Sequence, residues 1–298
     1  MKILLTGANG ILGIELLKSL ANAKKSTLAT GKGDFRHNIL ILNDLVEYTE
    51  VELSNIQSIE KTIISYKPTH ILHLGAITQV DECELNKGFC YSINTGSTAE
   101  IIKHAKVIGA KLIYLSTDFV FDGSAGPYKE EDKVCPVNYY GTTKIAAEKL
   151  ILESGLDYCI IRTALLYGKK AESGRTNFIH WVKQNLENKN PIKVVNDQVR
   201  TPTYIPDLVE GILTTLRTGA KGIYHISGGE TLTPFDMAME VAEHLGLDKT
   251  LITAVNASSF TQPAKRPLVT GFNIAKARSD LGFNPTPFKK ALLEIFND

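Results

Sequence analysis

Long apolar runs are missing from this chain: none approaches the ~18 residues that a membrane-spanning helix needs, so no span is expected. Cysteine is scarce, with four in 298 residues. Cys83, Cys90, Cys135 and Cys159 show no C-x-x-C spacing, so buried thiols are expected rather than a disulfide framework. The seven histidines form no H-x-x-x-H pair and no Cys/His cluster, which leaves no metal signature. Neither sign of charge dominates. Thirty-three Lys and Arg against 32 Asp and Glu leave a net charge of +1, and without a long basic run nothing supports a nucleic-acid role. A secretory leader is not expected either, because Lys2-Ile3-Leu4-Leu5 enters a strand at once. What remains is 43% apolar and 22% charged residues, ordinary for a globular protein with an ample core. A cytoplasmic enzyme fits.

Through the first two-thirds, apolar runs alternate with amphipathic segments. Strands are expected at Lys2–Thr6, Thr27–Thr30, His70–Gly75, Lys111–Ser116 and Tyr158–Arg162. Helices are expected from about Ile11 to Asn22, around Ile56–Tyr66, at Ala99–Ile108 and at Asn138–Glu153. Uniformly apolar strands alternating with helices predict a parallel sheet covered on both faces. After about residue 168 the pattern loosens into helices at Phe178–Asn188, Asp207–Leu216, Thr233–Leu245 and from about Phe288. Short strands are expected at Lys193–Val195 and Gly222–Ser227, and Thr231 or Thr233 could cap the helix that opens on Pro234. The fold class is α/β, a Rossmann-type doubly wound parallel sheet with a smaller C-terminal α/β substrate lobe. The division expected is 1–168 for an NADP(H)-binding domain, rejoined at about 205–227, and 169–298 for the lobe.

Gly7-Ala8-Asn9-Gly10-Ile11-Leu12-Gly13 follows the first strand and opens a helix. Its glycines permit a tight turn and let the backbone approach a pyrophosphate, which the helix N-terminus then faces. An acid for the ribose 2′-hydroxyl is expected at the end of the second strand. Thr30 and Gly31 stand there instead, followed by Lys32 and Arg36, which favours a 2′-phosphate and hence NADPH, with NADH as the alternative. Asp34 would support that alternative after a small register change. Plain surface charge is the bland reading of both cations.

Tyr140 and Lys144 are four apart on one helix face. An ammonium so placed is expected to lower the phenol pKa and make it a proton donor to a carbonyl. The spacing alone is common on solvated helices. Ser116-Thr117-Asp118 upstream and the N-terminal turn are what give it weight.

Together these pieces resemble the extended short-chain dehydrogenase/reductases and, among them, the dTDP-4-dehydrorhamnose reductase family. The resemblance runs nearly the whole length: Thr6–Gly13, Gly75-Ala76, Asn94, Ser116–Gly123, Pro136–Lys144, Arg162-Thr163, Tyr167-Gly168, Asn177-Phe178, Pro202-Thr203, Asp207-Leu208 and Arg266-Pro267. It implies reduction of a 4-keto (deoxy)sugar nucleotide by NADPH. Thr117, Tyr140 and Lys144 would be the catalytic trio. Gly7, Asn9, Gly10, Ile11, Leu12, Lys32, Glu52, Leu53, Gly75, Ala76 and Asn94 would line the cofactor. Thr78, Asp118, Phe119, Asn177, Arg200 and Arg266 would serve the substrate. A homodimer is common in the family. Two departures stand out. Leu165 replaces the Trp that covers the sugar, and Arg200 replaces the Gly of Gln-x-Gly-x-Pro-Thr. Arg200 and Arg266 could clamp a diphosphate, or Arg200 could form a salt bridge with a nearby carboxylate. These departures leave open an epimerase or dehydratase holding NAD tightly. A regulatory subunit that keeps the fold without turnover is a further reading, since some relatives serve a methionine adenosyltransferase in that way.

Overall fold

The computed structural model describes residues 1–38, 43–170 and 177–297. The first part of the chain forms β1 (Lys2–Thr6), α1 (Ile11–Asn22), β2 (Ser26–Gly31), β3 (Val46–Glu50), α2 (Ile56–Tyr66) and β4 (His70–His73). Short helices α3 (Val80–Leu85) and α4 (Lys87–Tyr91) lead through a π-helical turn (Ser92–Gly96) into α5 (Ser97–Ile108). Then come β5 (Lys111–Thr117), a 3-10 turn (Asp118–Val120), α6 (Tyr139–Glu153) and β6 (Tyr158–Thr163). The remainder forms β7 (Leu166–Tyr167), α7 (Phe178–Glu187), β8 (Ile192–Val195), β9 (Thr203–Tyr204), α8 (Ile205–Thr218) and β10 (Gly222–His225). Last are α9 (Pro234–His244), β11 (Ile252–Val255), α10 (Ala275–Leu281) and α11 (Phe288–Phe296).

Seven strands pair in parallel in the order β10-β6-β5-β4-β1-β2-β3. Side chains alternate across this sheet, which is why its strands are apolar at nearly every position. Ile3, Leu5, Leu72, Ile113 and Ile161 pack into one cluster with α1 and α8. Leu4, Ile71, Leu112 and Ile160 pack into another with α2 and α5. Each such side chain contributes roughly 1.5–3 kcal/mol on burial. β10 completes the edge beside β6 although the chain has meanwhile passed through β7, α7, β8 and β9. The strand order reverses between β1 and β4, and in parallel α/β sheets a crevice opens at such a point beyond the carboxyl ends of the strands.

A separate apolar cluster holds the later elements together. Ile179 and Val182 of α7, Ile192 and Val194 of β8, Met237 and Val241 of α9, and Leu292 and Ile295 of α11 meet there. β8 pairs only with β11, and β7 only with β9, among the described strands. Thr233 caps α9 in a full capping box with Asp236, so of the two threonines expected for that duty it is Thr233 that serves.

The sequence periodicity missed β3, where only Val46 is buried and an edge strand alternates weakly. It also missed α3, α4 and α10, helices of five to seven residues, too short to show a period. One cysteine expectation is corrected. Cys83 of α3 and Cys90 of α4 pair as a disulfide, with Cα atoms 5.1 Å apart. The turn between the helices brings together two residues whose separation of seven matches no redox or metal spacing. Cys159 is a buried thiol and Cys135 an exposed one.

Candidate active site

The glycine turn begins where β1 ends. Gly7 has φ +77°, and a Cβ there would stand 2.8 Å from the Gly75 nitrogen. The turns after β1 and β4 are thus in backbone contact. A Cβ on Gly13 would overlap the Gly7 carbonyl oxygen, so α1 can pack against the turn only with glycine there. Gly10, the N-cap of α1, supplies no side-chain cap, and no acid stands in the first turn. The first N–H groups of Ile11 and Leu12 therefore have no intrahelical partner and point out of the helix end with its positive dipole. That is the donor set a pyrophosphate requires, so Gly7, Gly10, Ile11 and Leu12 fit a dinucleotide.

Asn9 serves this region indirectly. Its amide nitrogen donates to the carbonyl oxygens of Lys32 (3.2 Å) and Asp34 (3.0 Å) and to the Tyr48 hydroxyl (3.0 Å). Its carbonyl oxygen accepts from the Arg36 amide at 3.1 Å. Tyr48, absent from the sequence expectations, donates to the Gly33 carbonyl oxygen at 2.5 Å. The loop after β2 is therefore fixed in shape. Lys32 remains largely exposed in an ion pair with Glu52 (3.1 Å), and a 2′-phosphate could compete for it. Leu53 packs at Gly75, where a Cβ would come 2.7 Å from its Cδ1. Ala76 follows in the same partly exposed turn.

Asn94, expected at the cofactor, has its side chain occupied within the protein. It is 1% exposed and spent inside the protein. Its carbonyl oxygen accepts from the Ile77 amide (2.8 Å), while its nitrogen donates to the Ile77 carbonyl oxygen (3.0 Å) and the Thr143 hydroxyl (3.1 Å). The π-helical turn thus staples the loop after β4 to α6.

Thr117 ends β5, while Tyr140 and Lys144 lie in the first turns of α6. Asn138 caps that helix, accepting from the Gly141 amide at 2.9 Å. A Cβ on Gly141 would overlap the Phe119 carbonyl oxygen, so glycine lets α6 rest on the turn after β5. This brings Thr117 against Tyr140. Burial raises the Tyr140 pKa, and the Thr117 hydroxyl, hydrogen-bonded to it, works against that rise. Lys144 does not pull the phenol down as its spacing suggested. Its ammonium donates to the Leu115 carbonyl oxygen at 2.7 Å and lies 4.1 Å from the centre of the Tyr114 ring. Burial brings Lys144 down to about 7, opposed by Glu148. Glu148, one further turn along α6, accepts from Ser116 at 2.5 Å and from Arg162 at 3.0 and 2.7 Å. The i,i+4 spacing of Lys144 and Glu148 was available in the sequence as a signal for this support.

The substrate residues divide. Thr78 is exposed just beyond β4, and the Phe119 ring stands edge-on to Tyr140 with centroids 6.1 Å apart. Arg266 forms two 2.6 Å contacts with Asp81 of α3 and keeps part of its side chain exposed. Arg200 is not a surface clamp. It is 5% exposed and donates to the carbonyl oxygens of Val199 (2.9 Å), Pro267 (2.6 Å) and Leu268 (2.8 Å), with Nε 3.4 Å from Asp118. The salt bridge is the reading that holds for it. Asp118 is buried too, accepting from Thr117 at 3.1 Å and from Thr270. Asn177 caps α7 through the His180 amide and donates to the Gly168 carbonyl oxygen at 2.8 Å, so its amide is committed locally. Leu165 adopts φ +35°, unusual for a residue with a Cβ, and packs on the second cluster. Among the described residues no group of three His, Cys, Asp or Glu could hold a metal ion.

Comparison with known proteins gives the family. One family model, described as the RmlD substrate binding domain, matches residues 1–298. The chain belongs to that family. Within reach of the RmlD family are proteins of different duty. The spore coat polysaccharide biosynthesis protein SpsK of Bacillus subtilis is 30% identical, over 100% of this chain and 97% of its own. Methionine adenosyltransferase 2 subunit beta of Mus musculus is also 30% identical, over 98% of this chain and 86% of its own. A dTDP-4-dehydrorhamnose reductase from Bacillus anthracis, solved in complex with NADP, is 28% identical with a TM-score of 0.83, covering 100% of this chain and 99% of that one.

Proposed function

We propose that this member of the RmlD family is an NADPH-dependent reductase of a 4-keto (deoxy)sugar nucleotide, of the dTDP-4-dehydrorhamnose reductase type. One observation carries the reading: Thr117, at the carboxyl end of β5, hydrogen-bonds Tyr140, which shares a face of α6 with Lys144, in the same parallel sheet whose first strand leads into the uncapped turn of α1. The solved relative with NADP supports the choice of cofactor. Residues 1–168, with the returning 205–227, would form the cofactor unit, and 169–298 the substrate lobe.

NADPH supplies the hydride. The first N–H groups of α1 would bind its pyrophosphate, and Lys32 with Arg36 would receive the 2′-phosphate. The chain's own residues manage the proton. As hydride reaches the carbonyl carbon, charge builds on the oxygen. Tyr140 donates its phenolic proton to that oxygen, and Thr117 orients it by hydrogen bonding. The raised pKa of Tyr140 suits the task. It keeps the phenol protonated until an alkoxide, a stronger base than a phenolate, demands the proton. Lys144, held by Leu115 and Tyr114, would offer its remaining donors to the nicotinamide ribose. Arg266, paired with Asp81 and partly exposed, would meet the substrate diphosphate.

The test mixes protein, NADPH and dTDP-4-keto-6-deoxyhexoses and follows NADPH absorbance, with NADH as control. Stoichiometric oxidation is expected. Tyr140→Phe should lower kcat by about 10²–10⁴-fold while NADPH binding is retained. Full activity in that variant would overturn the role given to Tyr140. Tightly retained NAD with no net oxidation would instead indicate an epimerase or dehydratase.

A further inference from the structure

The buried arginine that replaces a family glycine sits two side chains from the catalytic threonine. Three of its contacts go to backbone carbonyl oxygens, two of them at Pro267 and Leu268 in the strap that runs from Ala264 to Thr270. The strap is held elsewhere as well. Asn138, the cap of α6, donates to the Lys265 carbonyl oxygen at 2.9 Å, and the Val269 amide donates to the Gly123 carbonyl oxygen at 3.1 Å. Arg200 Nε and the Thr270 hydroxyl both face Oδ2 of Asp118. This leaves Oδ1 to accept the Thr117 proton at 3.1 Å. That bond holds the Thr117 side chain in the rotamer that faces Tyr140, from which its O–H can swing to a substrate oxygen when one arrives.

We propose that Arg200 is a positioning residue: by fixing Asp118 it orients the Thr117 hydroxyl toward Tyr140 and ties that orientation to the strap 264–270. The inference rests on the reductase reading for its kinetic arm only. The titratable and charged groups facing Asp118 are Arg200, from the segment ahead of β9, and Tyr140, from α6; the strap contributes Thr270 and the end of β5 contributes Thr117. An ionised Asp118 can only accept hydrogen bonds. Burial favours its protonated form and Arg200 opposes that. A protonated Asp118 would become a donor and turn Thr117 away from its place.

The experiment compares wild type with Arg200→Gln, Arg200→Lys and Thr270→Val. In Arg200→Gln, kcat should fall about 10- to 100-fold with the NADPH dissociation constant unchanged. An acid limb in kcat/KM should appear at higher pH than in wild type. Arg200→Lys should restore most of kcat and return the limb, and Thr270→Val should show a smaller loss in the same direction. Independently of turnover, infrared titration of the ligand-free protein, assigned with Asp118→Asn, should show the protonated carboxyl at higher pH in Arg200→Gln. That arm decides the inference even if no sugar nucleotide is reduced by wild type. A rise in KM alone with an unshifted pH profile, or an unshifted carboxyl titration, overturns it. If Arg200→Gln loses NADPH binding through misfolding, Thr270→Val carries both arms: a loss of kcat with a shifted titration supports the proposal, and wild-type behaviour overturns it.

Discussion

The two walls of the cleft present charge in opposite ways. On the cofactor side the groups that would meet the ligand are backbone N–H groups of α1 without a side-chain cap, and a lysine in a solvent-screened ion pair. On the substrate side both arginines already have carboxylate partners within the chain: Arg200 with Asp118, fully enclosed, and Arg266 with Asp81, partly open. The difference teaches how to read a charged residue in a motif. A backbone donor at a helix end has no alternative partner, so its motif translates directly into a site. An arginine has five donors and finds internal acceptors readily, so its position in a motif does not say whether it faces ligand.

The sharpest way to break the contrast is at the glycine turn. Gly13→Val would force a side chain into the Gly7 carbonyl oxygen. About 3 kcal/mol of stability or more should be lost in urea denaturation, and NADPH binding with it. On the other wall, Arg266→Gln should leave folding and NADPH binding nearly intact. It should raise KM for the sugar nucleotide about 10-fold with a smaller change in kcat, against the kcat effect expected of Arg200→Gln. If the two arginine variants gave the same kinetic signature, the distinction between a ligand-facing and an internal arginine would fail.

The smallest effect concerns Lys144, which stands between the walls. Its pKa in the folded protein is about 7, far below its ordinary 10.5. Between those values the unfolded chain holds a proton at this position that the folded protein lacks, so the group adds stability as pH rises through that window. Below about pH 7 the full cost of a buried ammonium is present. Lys144→Met should therefore melt above wild type near pH 6, by about 2–4 °C, with the gap closing toward pH 9 as turnover stays abolished. A gap that does not narrow with pH would show that the ammonium is not desolvated in the folded protein.

The sequence was most legible where chemistry lies in the backbone. Apart from the edge strand β3, the strands of the central sheet and the larger helices stand within a residue or two of their expected ends, because burial on both faces leaves a dense apolar record. Gly7 through Gly13 could be read for the same reason. Legibility ended where a side chain chooses among partners. Lys144 was expected to act on Tyr140, yet the Leu115 carbonyl and the Tyr114 ring, distant in sequence, take its ammonium. Asn94 and Asn177 were expected at ligands and are spent on backbone groups. Cys83 and Cys90 meet because α3 and α4 fold back on each other, which no spacing rule anticipates.

The late entry of β10 into the central sheet has a mechanical consequence. The chain leaves the sheet after β6, builds part of the second cluster, comes back through α8 and β10, and leaves again for α9 and β11. Five covalent crossings therefore join the two bodies of structure: out after β6, back into α8, out after β10, back into α10 and out again into α11. A single tether would allow swivelling about any axis. Tethers at several points hold the two bodies in one orientation. A nick in any one connection would leave the others to keep it, so the number of crossings, rather than the strength of any contact, sets how little the cleft can breathe.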